Sequence, residues 1–384
     1  MKRVMMLIVL LVLLGMFATL AVADEVTIIK NPKPTCVEKE YRQLVKVREL
    51  KESEDSEDFL VEPRSLVVDE RGHIFAWDAA QAKIFQYDPD LNLVRTFCRR
   101  GQGPGEFGTL GHVLVNLFIR GKEIYLPDSY NRKVIGFSTA GEVVKEIPFE
   151  PKGLQNVSVA LDQAGRIYFL SDNNAGNPHC IDCLDADGGF MRGYLNRSEL
   201  LVGLYKKIEN NVLAVRMPPG LKSKIPKEVA NRNCYNMVME GNLLFSVNRD
   251  DRLLVYSAIS GRLWVFDQGK LTSASWLWPK RALEDFRERN LNIHRGYFPL
   301  FQSLVLDGDN ADRFLLNYGS FREGDENYLY QFDLSGKVIR VFCVPNPERS
   351  FVRVYFKRNG QFYAIQRNQF ENLTIAVYKE EKHE

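Results

Sequence analysis

A pair of short apolar strands, joined by a glycine bend and closed by a polar residue, recurs along this chain. A repeating supersecondary unit of this kind limits the fold more than any other feature, because one copy cannot bury its own apolar faces. The clearest copy runs Leu66-Val67-Val68-Asp69-Glu70-Arg71-Gly72-His73-Ile74-Phe75-Ala76-Trp77-Asp78. Further copies carry Gly121 with Ile124 to Asp128, Gly165 with Ile167 to Ser171, and Gly241 with Leu244 to Asn248. Two more carry Asp307 with Phe314 to Tyr318 and Gly360 with Phe362 to Gln366. A third strand and a turn follow each pair, as in Ile84 to Asp88 and in the tetrads Asp185-Ala186-Asp187-Gly188 and Asp333-Leu334-Ser335-Gly336. Asp and Gly accept the dihedrals that such turns need. A fourth strand leaves the turn: Leu93 to Phe97, Val143 to Phe149, Phe190 to Leu195, Arg262 to Asp267, Val338 to Phe342. Four short strands per unit, repeated, make a propeller blade.

The expected fold is therefore all-β, a six-bladed β-propeller over 41–384 with four-stranded antiparallel blades. Two intervals exceed one blade and are read as insertions near 198–232 and 268–296, the second holding a short helix around Pro279 to Asn290. A degenerate seventh blade inside 198–232 is the rival count. The last unit lacks a fourth strand, while Tyr41 to Val47 alternates as a strand without a neighbour of its own. Pairing the two would close the ring through an N-terminal strand and remove two open sheet edges.

Ahead of this, Lys2 and Arg3, the apolar run Val4 to Leu14 and Ala21-Val22-Ala23 before Asp24 read as a signal peptide over 1–23, with 24–40 as a linker. An uncleaved anchor from Val4 to Ala23 is the alternative, since 20 mostly apolar residues reach spanning length. After cleavage the protein is expected in the periplasm or secreted, with no stable membrane insertion. The chain has 51 Lys+Arg and 49 Asp+Glu, and the counts become equal once Lys2 and Arg3 are gone. A neutral protein lacks the long-range field that nucleic acid requires, so no nucleic-acid partner is expected. Of six cysteines, only Cys180 and Cys183 lie close together, and they read as a short-loop disulfide or two buried thiols, because the ligands of a zinc site are missing.

The run Gly101-Gln102-Gly103-Pro104-Gly105-Glu106-Phe107, followed by Ile124-Tyr125-Leu126-Pro127-Asp128-Ser129-Tyr130-Asn131-Arg132, resembles the NHL repeat. That family joins a Gly-Pro-Gly-Glu-Phe-like loop to a strand ending in Asp-x-x-Asn-x-Arg. The chain is also similar to exported bacterial six-bladed propeller proteins. The resemblance implies a propeller whose relatives range from protein-binding scaffolds and RNA-binding domains to lyases, so kinship of fold does not choose a function.

Strand parity places candidate residues on one face, where second and fourth strands end. They are Asp78, Asp128, Asn131, Asp172, Asn248, Tyr318 and Arg367, with Arg100, Gln102 and Glu106 from the glycine loop. A strand-ending Asp or Asn serves equally to cap its own turn. The glycine loop with Arg99 and Arg100 reads either as an anion cradle or as a blade connector. No catalytic set is assembled: the five histidines do not pair at ligand spacing and no Gly-x-Ser-x-Gly elbow is present. The leading expectation is a non-catalytic binding protein for a protein, peptide or glycan, without a cofactor. The alternative is a metal-assisted lyase or hydrolase holding Ca²⁺ at Asp78 and Asp128.

Overall fold

The computed structural model describes residues 27–28, 41–51, 59–108, 115–148, 159–170, 179–196, 243–257, 261–277, 301–318, 327–344, 352–367 and 372–381. Among these there is no helix. The chain opens with β1 (Thr27–Ile28) and β2 (Tyr41–Glu49), then forms an antiparallel meander of β3 (Pro63–Val68), β4 (Ile74–Asp78), β5 (Lys83–Tyr87) and β6 (Leu93–Phe97). A loop bearing β7 (Arg99–Arg100) and β8 (Glu106–Phe107) leads to the second meander. That one contains β9 (Phe118–Arg120), β10 (Glu123–Asp128), β11 (Lys133–Ser138) and β12 (Val143–Pro148). The third has β13 (Val159–Leu161), β14 (Ile167–Leu170), β15 (His179–Leu184) and β16 (Phe190–Asn196). The fourth has β17 (Leu243–Val247), β18 (Leu253–Ser257), β19 (Arg262–Asp267) and β20 (Lys270–Trp276). Next come β21 (Phe301–Leu306), β22 (Arg313–Tyr318), β23 (Asn327–Asp333) and β24 (Val338–Val344), then β25 (Val352–Arg358), β26 (Gln361–Arg367) and β27 (Leu373–Glu380).

Four meanders stand as separate blades in a propeller-like arrangement, and β21 to β27 join through β2 into one eight-stranded sheet. The start of β2 runs parallel to β24, with Tyr41 opposite Val341. Its remainder runs antiparallel to β27, with Leu44 opposite Glu380 and Glu49 opposite Ala376. The expected pairing of Tyr41 to Val47 with the C-terminal strands is thus present. The stretch expected as linker contributes β1, which lies parallel to the outer edge of β20.

The central strands are almost wholly buried because their two faces feed different neighbours. In β4, Ile74 and Ala76 pack with Tyr363, Ile365, Ile375 and Val377 of the C-terminal strands. Phe75 and Trp77 pack instead with Ile124, Leu126, Ile135 and Phe137 of the second meander. The same alternation continues from the second meander to the third, the third to the fourth and the fourth to the strands after Phe301. A strand sandwiched on both sides reads as a continuous apolar run. Each fully buried Leu, Ile or Phe contributes roughly 1.5–3 kcal/mol.

One turn design closes the ends of first and third strands. A side-chain oxygen of Asp69, Asp88, Asp162, Asp185 and Asp333 accepts the N–H groups two and four residues on. Ser138 and Asn248 do the same. The residue three positions on has positive φ: glycine in five of these turns, Leu91 and Asp251 in the others. This is the tight hairpin in which a left-handed residue follows a type I turn.

Fourth strands share a second device. Val94, Val144, Met191, Thr272 and Ile339 each stand as the extra residue where register shifts, the second position of β6, β12, β16 and β24 and the third of β20. A bulge twists an edge strand away from pairing with other chains. It also explains the exposed pairs Leu93-Val94, Val143-Val144 and Phe190-Met191. The basic residue after the bulge bridges onward in two blades, Arg95 to the Ala140 carbonyl and Arg192 to that of Gln268.

The structure corrects the reading of the fourth blade. Leu243–Val247 is its first strand, not its second, and Arg262–Asp267 is its third. Lys270–Trp276 is the fourth strand, so the stretch read as an insertion near 268–296 begins as blade. The proposed helix at 279–290 and the interval 198–232 lie outside the described residues. Cys180 and Cys183 are both buried thiols on β15, and no disulfide joins them.

Candidate functional site

The two faces of the ring differ in how the chain crosses them. Tight five-residue hairpins such as Asp69 to His73 cover one face. On the other lie the ends of second and fourth strands, and it is from such ends, at Phe97, Asn196 and Trp276, that the sequence intervals to Phe118, Leu243 and Phe301 are long. Loops of that kind carry function on a rigid scaffold.

On this long-loop face the best-described region lies where the first blade meets the second. Asp78 ends β4 and is fully buried. Its carboxylate accepts the N–H groups of Val61 at 2.6 Å, Glu62 at 2.8 Å and Gln81 at 3.0 Å. Asp128 ends β10, equally buried, and accepts from the backbone of Gly108 at 2.8 Å, Tyr130 at 3.1 Å and Asn131 at 3.0 Å, and from Asn131 Nδ2 at 2.8 Å. Burial pushes the Asp128 carboxyl above its ordinary range, against the pull of those donors. Both aspartates hold together their own turns and the incoming chain.

The glycine loop is tied down from below. Asn131 Nδ2 donates to the Gly101 carbonyl at 2.9 Å, and Lys133 Nζ donates to that of Gly103 at 2.9 Å. Glu146 accepts the Gly105 N–H at 2.8 Å while paired with Lys133 at 2.6 Å. Lys133 and Glu146 escaped the sequence reading, although Lys133 directly follows the Asn131-Arg132 pair. Glu106 folds back on its own loop, accepting the Gly103 N–H at 2.9 Å and pairing with Arg99 at 2.6 Å. The Gly103 N–H, and then Arg99, hold its carboxyl below the usual carboxylate range. The Gly101 N–H donates to the Phe107 carbonyl. The N–H groups of Gly101, Gly103 and Gly105 therefore have protein acceptors, and this loop is a connector, not an anion cradle. Phe107 anchors it against Trp77, the rings 4.6 Å apart.

Of the ten residues singled out, Asp78, Asp128, Asn131 and Glu106 are thus structural. Arg100 and Gln102 stand exposed on the loop, and Arg367 is exposed at the end of β26. Tyr318 ends β22 as expected, and Asp172 lies outside the described residues. Asn248 is on the wrong face: it caps the hairpin between β17 and β18, with its amide donating to the Ala311 carbonyl at 2.7 Å. The second strand of that blade ends instead at Ser257.

These residues do not fit a Ca²⁺ site. The Asp78 and Asp128 oxygens are already engaged by N–H donors, which a cation would have to displace. Among the described residues no group of three or more His, Cys, Asp or Glu could hold a metal.

No protein-family profile matches the chain, and no curated protein matches it in sequence. Solved structures do. A Bacteroides fragilis protein described as exported shares 12% identity over 88% of this chain and 96% of its own, with a TM-score of 0.52. A member of the DUF4221 family from Bacteroides vulgatus shares 12% over 90% and 100%, with a TM-score of 0.54. A streptogramin B lyase aligns more loosely, 13% identical over 88% of each chain with a TM-score of 0.44. Among the described residues no helix is long and apolar enough to cross a membrane. At such identities the likeness to the two Bacteroides proteins establishes a propeller-type β fold and leaves its chemistry open.

Proposed function

We propose that this chain is an exported, six-bladed, NHL-like propeller that acts by binding, holding a protein, peptide or glycan on its long-loop face. The blade count draws support from the apolar circuit, which passes from each meander to the next and returns from β25–β27 to β3–β6. Export draws support from the apolar N-terminal run and from the Bacteroides fragilis relative. The observation that carries the binding role is the asymmetry of the faces: one is sealed by short self-capped hairpins, the other holds the strand ends from which the long sequence intervals leave.

A photo-crosslinking residue placed at Gln102 tests this against one at Asp90, an exposed hairpin position on the sealed face. In cells, Gln102 should give discrete crosslinked species and Asp90 none. Equal labelling from both positions would remove the assignment of the face.

The reading includes no resident metal. Chelator and millimolar Ca²⁺ should leave the thermal midpoint unchanged, because a cation that binds the folded chain raises that midpoint further as its concentration climbs above its dissociation constant. A chelator-sensitive midpoint would restore the metal-assisted alternative.

A further inference from the structure

We propose that the rim of the long-loop face between the first two blades recognises an acidic peptide segment, with Arg100 as its charged anchor and Tyr130 as its apolar one. The proposal rests on the binding role above and names the partner's chemistry.

Arg100 is exposed, and its guanidinium makes one hydrogen bond, from Nη2 to the Ala80 carbonyl at 3.1 Å. A guanidinium carries five N–H donors in a fixed fork, so that single bond positions the group and leaves donors for a carboxylate. Among the described residues no carboxylate lies within ion-pair range of it. Arg99 is paired with Glu106 yet its side chain stays 80% exposed. Arg132 is exposed as well, one residue beyond the Asn131 that grips Gly101. Arg99, Arg100 and Arg132 are thus all exposed on this stretch, while Asp78 and Asp128 are buried.

Apolar surface lies alongside. Tyr130 is 45% exposed, and Phe59 and Val61 are each 48% exposed. Tyr130 lies against Gly108, and Phe59 is held through its carbonyl by Gln81. Tyr and Arg together are the residues most enriched at interface hot spots.

The patch is also rigid. Asn131, Lys133, Glu146 and Asp128 each fix one backbone group of the loop. Side chains presented on an ordered loop lose little further entropy when a partner binds. An extended segment with carboxylates beside an apolar side chain satisfies both halves of this surface.

The test is fluorescence anisotropy with a labelled peptide of alternating glutamate and leucine, titrated with full-length protein. Arg100→Glu should weaken binding at least tenfold and Tyr130→Ala several-fold, while Lys270→Glu on the outer strand β20 should change nothing. Higher salt should weaken the wild-type interaction, since a surface charge contact is screened. The acidic run Glu52, Glu54, Asp55, Glu57 and Asp58 precedes Phe59 in sequence and offers the same chemistry as the probe. Changing those five to amides should leave binding equal or tighter. Thermal melts confirm that each variant is folded. Absence of binding, or equal loss with Arg100→Glu and Lys270→Glu, overturns the proposal. So does tripolyphosphate binding more tightly than the peptide with the same Arg100 dependence, which would assign the patch to polyanions. If the peptide fails while Gln102 still crosslinks, only this inference falls. If both fail, the binding face falls with it.

Discussion

Asp128→Ala is expected to destabilise the fold by on the order of 3–5 kcal/mol, far more than any exposed change on the same face. The carboxylate accepts four hydrogen bonds in a buried position, from Gly108, Tyr130 and twice from Asn131. Each buried donor left without an acceptor costs about 1–3 kcal/mol. Denaturant unfolding measures the loss, and a change within the range of Arg100→Ala would contradict this account. Asp128→Asn should cost less at neutral pH, and the gap between it and wild type should depend on pH. Burial raises the folded pKa of Asp128 above its ordinary 3.8, so between those two values the folded state holds a proton that the unfolded state has lost. The protonation-linked part of its contribution to stability is therefore complete below the unfolded pKa and is lost as pH rises through the folded one. The neutral Asn variant should lack that part of the profile.

Removing β2 should have a still larger effect. Strand Tyr41–Glu49 supplies the partner of β27 and also lies along β24. It buries Leu44 among Val305, Phe342, Phe362 and Tyr378. Truncating one such side chain costs about 2–5 kcal/mol. Deleting the whole strand removes that and the inter-strand hydrogen bonds, and it bares two edges at once. A chain starting at residue 50 should show no cooperative thermal transition, or should self-associate on size exclusion. Monomeric, cooperative unfolding with a wild-type midpoint would refute the role given to this strand.

Much of the architecture was legible because blade strands serve two apolar faces, so runs such as Ile74 to Trp77 and Ile124 to Leu126 stand out. The N-terminal strand was legible because a lone alternating segment requires a partner. The site was less so, since Asp and Asn end both first and second strands and their identity alone does not tell the faces apart. Asn248 was misplaced for that reason. The distinguishing signal is the position of the left-handed residue. It comes three places after the terminator in a hairpin, as with Asp69 and Gly72 or Asn248 and Asp251. It comes four places after a second-strand terminator, as with Asp78 and Ala82, Asp128 and Arg132, or Ser257 and Gly261. That offset identifies Ser257 as the true counterpart of Asp78. The inward turn of Glu106 was not legible, because a carboxylate in a glycine loop reads the same whether it meets solvent or its own backbone.

The sheet shared by the two ends of the chain sets a timetable. During synthesis the stretch around Leu44 emerges long before its partner, Leu373 to Glu380. Joining segments so distant in sequence carries the largest loop-closure cost in the molecule. Blades can zip up one after another, but the finished circle cannot lock until Leu373 to Glu380 has been made. A chain that has not yet reached that strand therefore leaves the seam at β2 open.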